Sequence, residues 1–248
     1  MTSGLSGIRL RTLLETTERR DDLIPGLIRA DGITLLTAPP KIGKTMFACQ
    51  AALAALEGRS FLGFPPGPAV NVLYCDFESS NDLLQERFDL LQRDSRDPYA
   101  LQFCREHFQL AKDDDVDGLI EIVAAGGHKL VIIDTLATYM YGIDENDAGA
   151  VSKPLHGIRR LQRETGAAVL VVAHAPKSEN NGRLAAKTRG SNAITAAAST
   201  LMVLTGNGKK GKIAIEQRSA ATWSISLLRR SDGFWERDPK EVHQAEAA

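Results

Sequence analysis

The sequence carries almost no excess charge: 30 Lys and Arg stand against 31 Asp and Glu, a net charge of −1. That balance excludes a generally basic, histone-like coat, so any nucleic-acid affinity has to come from a local patch. Cysteine is scarce. Cys49, Cys75 and Cys104 are an odd number without CxxC spacing, which speaks against a zinc site. Cys49 and Cys75 fall in apolar segments that read as a helix and a strand, so buried free thiols of a reducing compartment are expected. No run approaches the roughly 20 apolar residues of a membrane helix, and the N-terminus lacks a signal-type apolar core. The expected location is the cytoplasm, without a membrane partner. There is no internal repeat.

What is present fits an α/β domain. The 248 residues, 43% hydrophobic, suffice for a sizeable core. We expect a single domain over 1–248, with a helical N-terminal extension over 1–21, a core over 22–236 and a disordered tail over 237–248. Within the core, "ITLLTA", "VNVLYCDF", "KLVIID" and "AVLVVAH" read as buried strands. A further short strand is expected at the start of "FQLAKDDDVDGLIEIVAAGG", followed by an acidic turn and a helix. Helices are expected after Lys44, with Gly58 as C-cap, from about Asn81 to Arg93, and up to Gly166. Continuous apolar strands separated by helices predict a mostly parallel sheet covered on both faces. The tail alternates "STLMVLT", "KIAIEQR" and "TWSISLLR", which predicts C-terminal antiparallel strands.

The segment "APPKIGKT" fits the phosphate-loop pattern GxxxxGK[ST] except that Ala38 replaces the first glycine. It follows a strand and opens a helix, the context the motif requires. The loop comprises Ala38, Pro39, Pro40, Lys41, Ile42, Gly43, Lys44, Thr45 and Met46. The prolines lack N–H groups but precede the amides that would cradle the phosphates. Gly43 lets the backbone approach them, and the helix N-terminus adds positive potential. Lys44 would pair with the β- and γ-phosphates of ATP, and the Thr45 hydroxyl would ligate Mg2+.

Further candidates close other strands, with Asp134, Glu78 and His174 at the same edge. Asp134 ends "LVIID", where it can hold the magnesium ion or merely cap a helix. Glu78 follows "VNVLYCDF" and could polarise water for attack on the γ-phosphate. Asp76 is the competing base; Glu78 is favoured because it lies nearer the strand end. Ser79 and Asp82 offer a capping-box alternative, in which Glu78 only precedes the helix. His174 closes "AVLVVAH" and could sense the γ-phosphate or be a satisfied histidine under a loop. Arg218 ends "KIAIEQR" as a solvated edge residue or an arginine finger reaching a neighbouring subunit.

Together, "LIPGLI", "APPKIGKT", "VLYCDFESSNDLLQERF", "LVIIDTLA", "GIDENDAGAV", "VLVVAHAPK" and "RGSNAI" resemble RecA-like ATPases of plasmids and phages. The resemblance is to the RepA-type hexameric helicase group of the RecA/DnaB superfamily, and it runs from about Asp22 to Arg218. It implies a RecA-like P-loop core, a homo-oligomer (a hexamer above all) and single-stranded DNA as partner. It also implies that Lys44 and Thr45 bind nucleotide and magnesium, with Asp134 as second acidic motif. Glu78 matches the catalytic glutamate, His174 the sensor and Arg218 the finger, although Glu216 stands where the finger motif often has lysine. The family's DNA-contacting loops would match residues 139–150 and 175–190. The first is acidic, with Asp144, Glu145 and Asp147. The second carries Lys177, Arg183, Lys187 and Arg189 against Glu179, suited to backbone phosphates but without aromatics for base stacking.

Two functions follow as expectations. One is a ring-forming, ATP-hydrolysing motor on single-stranded DNA; the other is an ATP-gated accessory or loading protein that switches assembly without translocating. A small-molecule phosphotransferase would leave the Glu78 position unexplained.

Overall fold

The computed structural model describes residues 9–10, 12, 21–91, 100–144, 147–175, 192–207, 209–218 and 221–240. Strand and helix alternate through β1 (Ile33–Ala38), α1 (Lys44–Glu57), β2 (Val72–Asp76), α2 (Asn81–Leu91), β3 (Gln102–Cys104) and α3 (Asp113–Ala125). They continue through β4 (Leu130–Asp134), α4 (Leu136–Tyr139), α5 (Ala148–Thr165), β5 (Ala168–His174) and α6 (Asn192–Ala197). Four strands follow: β6 (Thr200–Gly206), β7 (Lys210–Gln217), β8 (Trp223–Arg229) and β9 (Trp235–Arg237).

The strands form one sheet in the order β3-β2-β4-β5-β1-β6-β7-β8-β9. From β3 to β6 all pairings are parallel, and from β6 to β9 all are antiparallel. The expected mixed α/β architecture is therefore the observed one. Its register matters for chemistry: Ala38 pairs with His174, and Asp76 with Asp134, so four strand ends meet at one edge.

The central parallel strands β2, β4 and β5 are largely apolar up to the polar residue that closes each, because both faces are covered. In β4, Leu130 and Ile132 pack on the α1 side, while Val131 and Ile133 join Leu119 and Val123 of α3 and Leu155 and Ile158 of α5. Every residue from Met46 to Ala55 of α1 is buried. Its alanines let the helix lie close to the sheet, so a large side chain at a position such as Ala52 would overpack it. Gly58 closes α1 at φ 59°, in the left-handed region favoured by glycine.

Several expected elements move. Strand β2 stops at Asp76 because its Oδ1 accepts the N–H groups of Glu78 (3.0 Å) and Ser79 (2.9 Å) and turns the chain. The cap of α2 is Ser80, whose Oγ accepts from Leu83 N at 3.2 Å, so Ser79 is not the capping residue. "FQLA" is not a strand: Phe108 and Leu110 are buried from a loop, and the strand is the earlier "QFC". The acidic run Asp113–Asp115 opens α3 instead of forming a turn, a favourable place for negative charge. Most of the expected 1–21 helix lies outside the described residues. Among those described, no helix is long and apolar enough to cross a membrane.

Candidate functional site

The phosphate loop leaves β1 at Ala38, which is fully buried and hydrogen-bonded through its carbonyl to Ala175 N at 3.0 Å. Ala38 stays extended; the left-handed step missing there falls on Lys41, at φ 66°. Gly43 follows at φ 106°, a conformation strained for any residue with a Cβ. Phe47 N bonds Gly43 O at 3.0 Å and starts the helical ladder. The amides of Lys44, Thr45 and Met46 precede that ladder, so the N-terminus of α1 offers them to an anion.

Around this loop the sheet edge gathers the expected side chains. Lys44 Nζ lies 3.5 Å from His174 Nδ1. Asp134 is buried, and its Oδ2 accepts from the Tyr74 hydroxyl at 2.8 Å. Burial pushes the Asp134 carboxyl above its ordinary value, while the hydroxyls of Tyr74 and Thr45 and the Lys44 charge hold it down. Its Oδ1 is buried without a hydrogen-bond partner. An unpartnered carboxylate oxygen beside a Thr hydroxyl is a donor set of the hard-oxygen kind that suits Mg2+.

Glu78 is exposed on the turn after β2, and its Oε1 accepts from Thr135 Oγ at 3.1 Å and from Thr138 Oγ. Because Thr135 directly follows Asp134, these bonds set Glu78 beside the acidic strand end. Asp76 is placed differently. It is 2% exposed and bound by the two amides of its own turn. Arg87 and Arg105 lie 3.8 and 3.7 Å from its carboxylate. Arg105 also donates to the carbonyls of Asp76 and Ser79, and Arg87 donates to Ser79 Oγ at 2.8 Å. Asp76 thus serves as the anchor of the turn that carries Glu78.

Arg218 sits elsewhere. It directly follows Gln217, which pairs with Thr200, and Thr200 pairs with Thr34 at the start of β1. The phosphate loop leaves from the other end of β1, so Arg218 and Lys44 lie at opposite sheet edges of one chain. Its guanidinium donates to Ala198 O at 3.3 Å and to Ala196 O, at the end of α6. Lys177, Arg183, Lys187 and Arg189 lie outside the described residues, as do Glu145 and Glu179. Asp147 is the N-cap of α5, accepting from Gly149 N at 2.8 Å and Ala150 N at 3.3 Å.

Sequence reasoning missed the brace beneath the phosphate loop. Trp235 Nε1 donates to Gly43 O at 3.3 Å. The backbone of Trp235 is in turn locked to the Gln50 side chain of α1 by bonds of 2.9 and 3.0 Å. Arg229 lies over the Trp235 ring at 5.8 Å from its centroid, and a Cβ at Gly43 would come within 3.3 Å of the Arg229 guanidinium. The turn "SDG" before an aromatic pair was the available signal for this last hairpin.

A parallel sheet with a phosphate loop after β1, an acid closing β4 and an antiparallel C-terminal extension defines a RecA-like P-loop ATPase domain. Residues 3–180 match the AAA domain family, and the chain belongs to that family. No curated protein matches it in sequence. Among solved structures it is similar to a KaiC-like protein from the hyperthermophilic archaeon Pyrococcus horikoshii OT3. The TM-score is 0.62 at 18% identity, covering 90% of this chain and 99% of the other. It is also similar to a DnaB-like replicative helicase, with TM-score 0.64 at 14% identity, over 84% of this chain and 57% of the helicase. A third structure, an isolated ATPase domain, gives TM-score 0.65 at 13% identity over 92% and 95% of the two chains. At such identities the likeness is one of fold.

Proposed function

We propose that the chain hydrolyses MgATP as a RecA-like motor domain of the RepA-type group, assembling as a ring, with a hexamer favoured, and acting on single-stranded DNA. The observation that carries the chemistry is the Thr135–Glu78 hydrogen bond, which holds a solvent-exposed carboxylate beside Asp134. In this reading the amides of Lys44 to Met46 bind the phosphates and Lys44 Nζ moves from His174 to the γ-phosphate. Glu78 takes the proton of the attacking water, and His174, released by Lys44, reports the state of the γ-phosphate. Thr45 and Asp134 would hold Mg2+, which supplies charge neutralisation at the β- and γ-phosphates.

Arg218 lies too far along the sheet to serve its own loop, which supports a role on a neighbouring copy. The whole of 1–248 is proposed as one ATPase domain, with 1–21 as an extension. Lys177, Arg183, Lys187 and Arg189, which follow His174 in the chain, are proposed as the DNA contacts. The test is the ATPase rate with and without single-stranded DNA at low salt, measured alongside the assembly mass. Stimulation that is lost in Arg183→Ala with Lys187→Ala, the basal rate persisting, is the expected result. An assembled preparation that neither binds nor responds to single strands sinks the motor and leaves an ATP-gated assembly switch.

A further inference from the structure

Cys75 and Cys104 are direct partners in the register of β2 and β3. Neighbouring strands lie about 4.8 Å apart, and disulfides form across Cα separations of about 4.4–6.8 Å. Both side chains enter the same buried cluster, on the face that also holds Phe108, Leu110 and Tyr139. They are therefore side by side, not on opposite faces. Both are free thiols. The nucleotide site uses neither.

The two thiols differ in chemistry. A hydrogen bond from Cys75 pulls the Cys104 thiol down to about 7, and the same bond, with burial, pushes Cys75 well up. Cys104 is thus the nucleophile and Cys75 the resolving thiol. Cys104 also lies on β3, which ends the sheet among the described residues, and at 9% exposure against 0% for Cys75 it is the more accessible of the two thiols. Cys49 is the contrast: it is 1% exposed within α1, and burial pushes it up to about 12.

We propose that Cys75 and Cys104 are a modification site, a thiol pair converted to an intramolecular disulfide by a low-molecular-weight disulfide such as oxidised glutathione. Cys104 thiolate attacks one sulfur of the reagent and expels one small thiolate, leaving a mixed disulfide. Cys75 loses its proton and attacks Cys104 Sγ, expelling the second. Two protein thiols are oxidised, one small disulfide is reduced to two thiols, and the two protons go with them.

The bond has a direct route to the site. The residues following the two cysteines are Asp76 and Arg105, the pair that clasps the turn bearing Glu78. A covalent link at this register fixes β3 against β2 and removes the freedom of that clasp to adjust, so oxidation slows ATP turnover; this last step rests on the function proposed above.

The test treats the folded chain with oxidised glutathione and maps disulfides by peptide mass, with turnover followed in parallel. The expected result is loss of the two thiol hydrogens in a Cys75–Cys104 cross-linked peptide, reversed by dithiothreitol. Turnover falls about tenfold or more. Cys49→Ser behaves like the parent, while Cys75→Ala and Cys104→Ser, checked as folded by circular dichroism, form no cross-link and keep their rate. A stable glutathione adduct on Cys104, or pairing through Cys49, overturns the site; a cross-link with unchanged turnover overturns the link to the clasp. If the reduced protein hydrolyses no ATP, the proposed function fails while the peptide map still decides the thiol pair.

Discussion

Lys44 and His174 meet at 3.5 Å, one from the first turn of α1 and the other from the last residue of β5. The pair joins the phosphate loop to the strand that runs on to the proposed DNA-contacting segment. Lys44→Ala removes a charged donor to the phosphates, so MgATP affinity should fall about 10–100-fold, or about 1.5–3 kcal/mol. His174→Ala should leave MgADP affinity within about twofold, because only the γ-phosphate is sensed, while turnover falls about tenfold or more. Nucleotide titration and steady-state rates on the two variants check this.

The carboxylates of the β2 turn have separable roles. Glu78→Gln should bind MgATP normally and hydrolyse it at least about a hundredfold more slowly. Asp76→Asn should instead lower unfolding free energy by about 1–2 kcal/mol, since the turn amides keep an acceptor but Arg87 and Arg105 lose a buried charge. Turnover abolished in Asp76→Asn yet intact in Glu78→Gln would reverse the assignment.

Trp235 supports the loop from below, and replacing it by phenylalanine removes the indole N–H together with part of a buried ring. Trp235→Phe should cost about 2–3 kcal/mol in chemical denaturation, the lost hydrogen bond and the cavity together, and weaken MgATP binding, because Gly43 O loses its donor. Gly43→Ala should be worse for nucleotide: its Cβ would sit 3.2 Å from Trp235 Nε1 at a φ of 106°. A Gly43→Ala protein with parental affinity would refute the brace.

Acid sensitivity should arise in part far from the site. His128, just before β4, is 2% exposed, and burial lowers its affinity for a proton. Above about pH 6.5 the ring is neutral in folded and unfolded chains alike. As pH falls through that value the unfolded chain takes up the proton first, so stability declines until the lower folded value is passed. His128→Asn should flatten the decline in urea midpoint between neutral and acid pH. An unchanged slope would exclude His128 as its source.

The parts of this protein that were legible in the sequence are those in which one residue pattern admits one structure. Ile33–Ala38 and Ala168–His174 are mostly apolar runs bounded by glycine or polar turns, and both strands fall on the residues expected. The glycine and lysine of the loop carry their backbone requirement with them. Less was legible where tertiary contacts decide. The three residues of β3 have no periodicity, and pairing with β2 alone makes them a strand. Asp76 reads as a rival base until its ligands are seen to be amides and arginines. Trp235, 192 residues from Gly43, has no local mark of its partner.

The antiparallel extension changes where this domain can be cut. The family match ends at residue 180, but β1 has β6 along one side, with Leu35 facing Leu201 and Leu36 facing Met202. A fragment stopped at that boundary would turn the strand feeding the phosphate loop into an open edge, with bare amides ready to pair with another chain. It would also lack the indole beneath Gly43. Such a fragment would retain every motif residue from Lys44 to His174 and yet tend to aggregate, so a working minimal version must extend through β9.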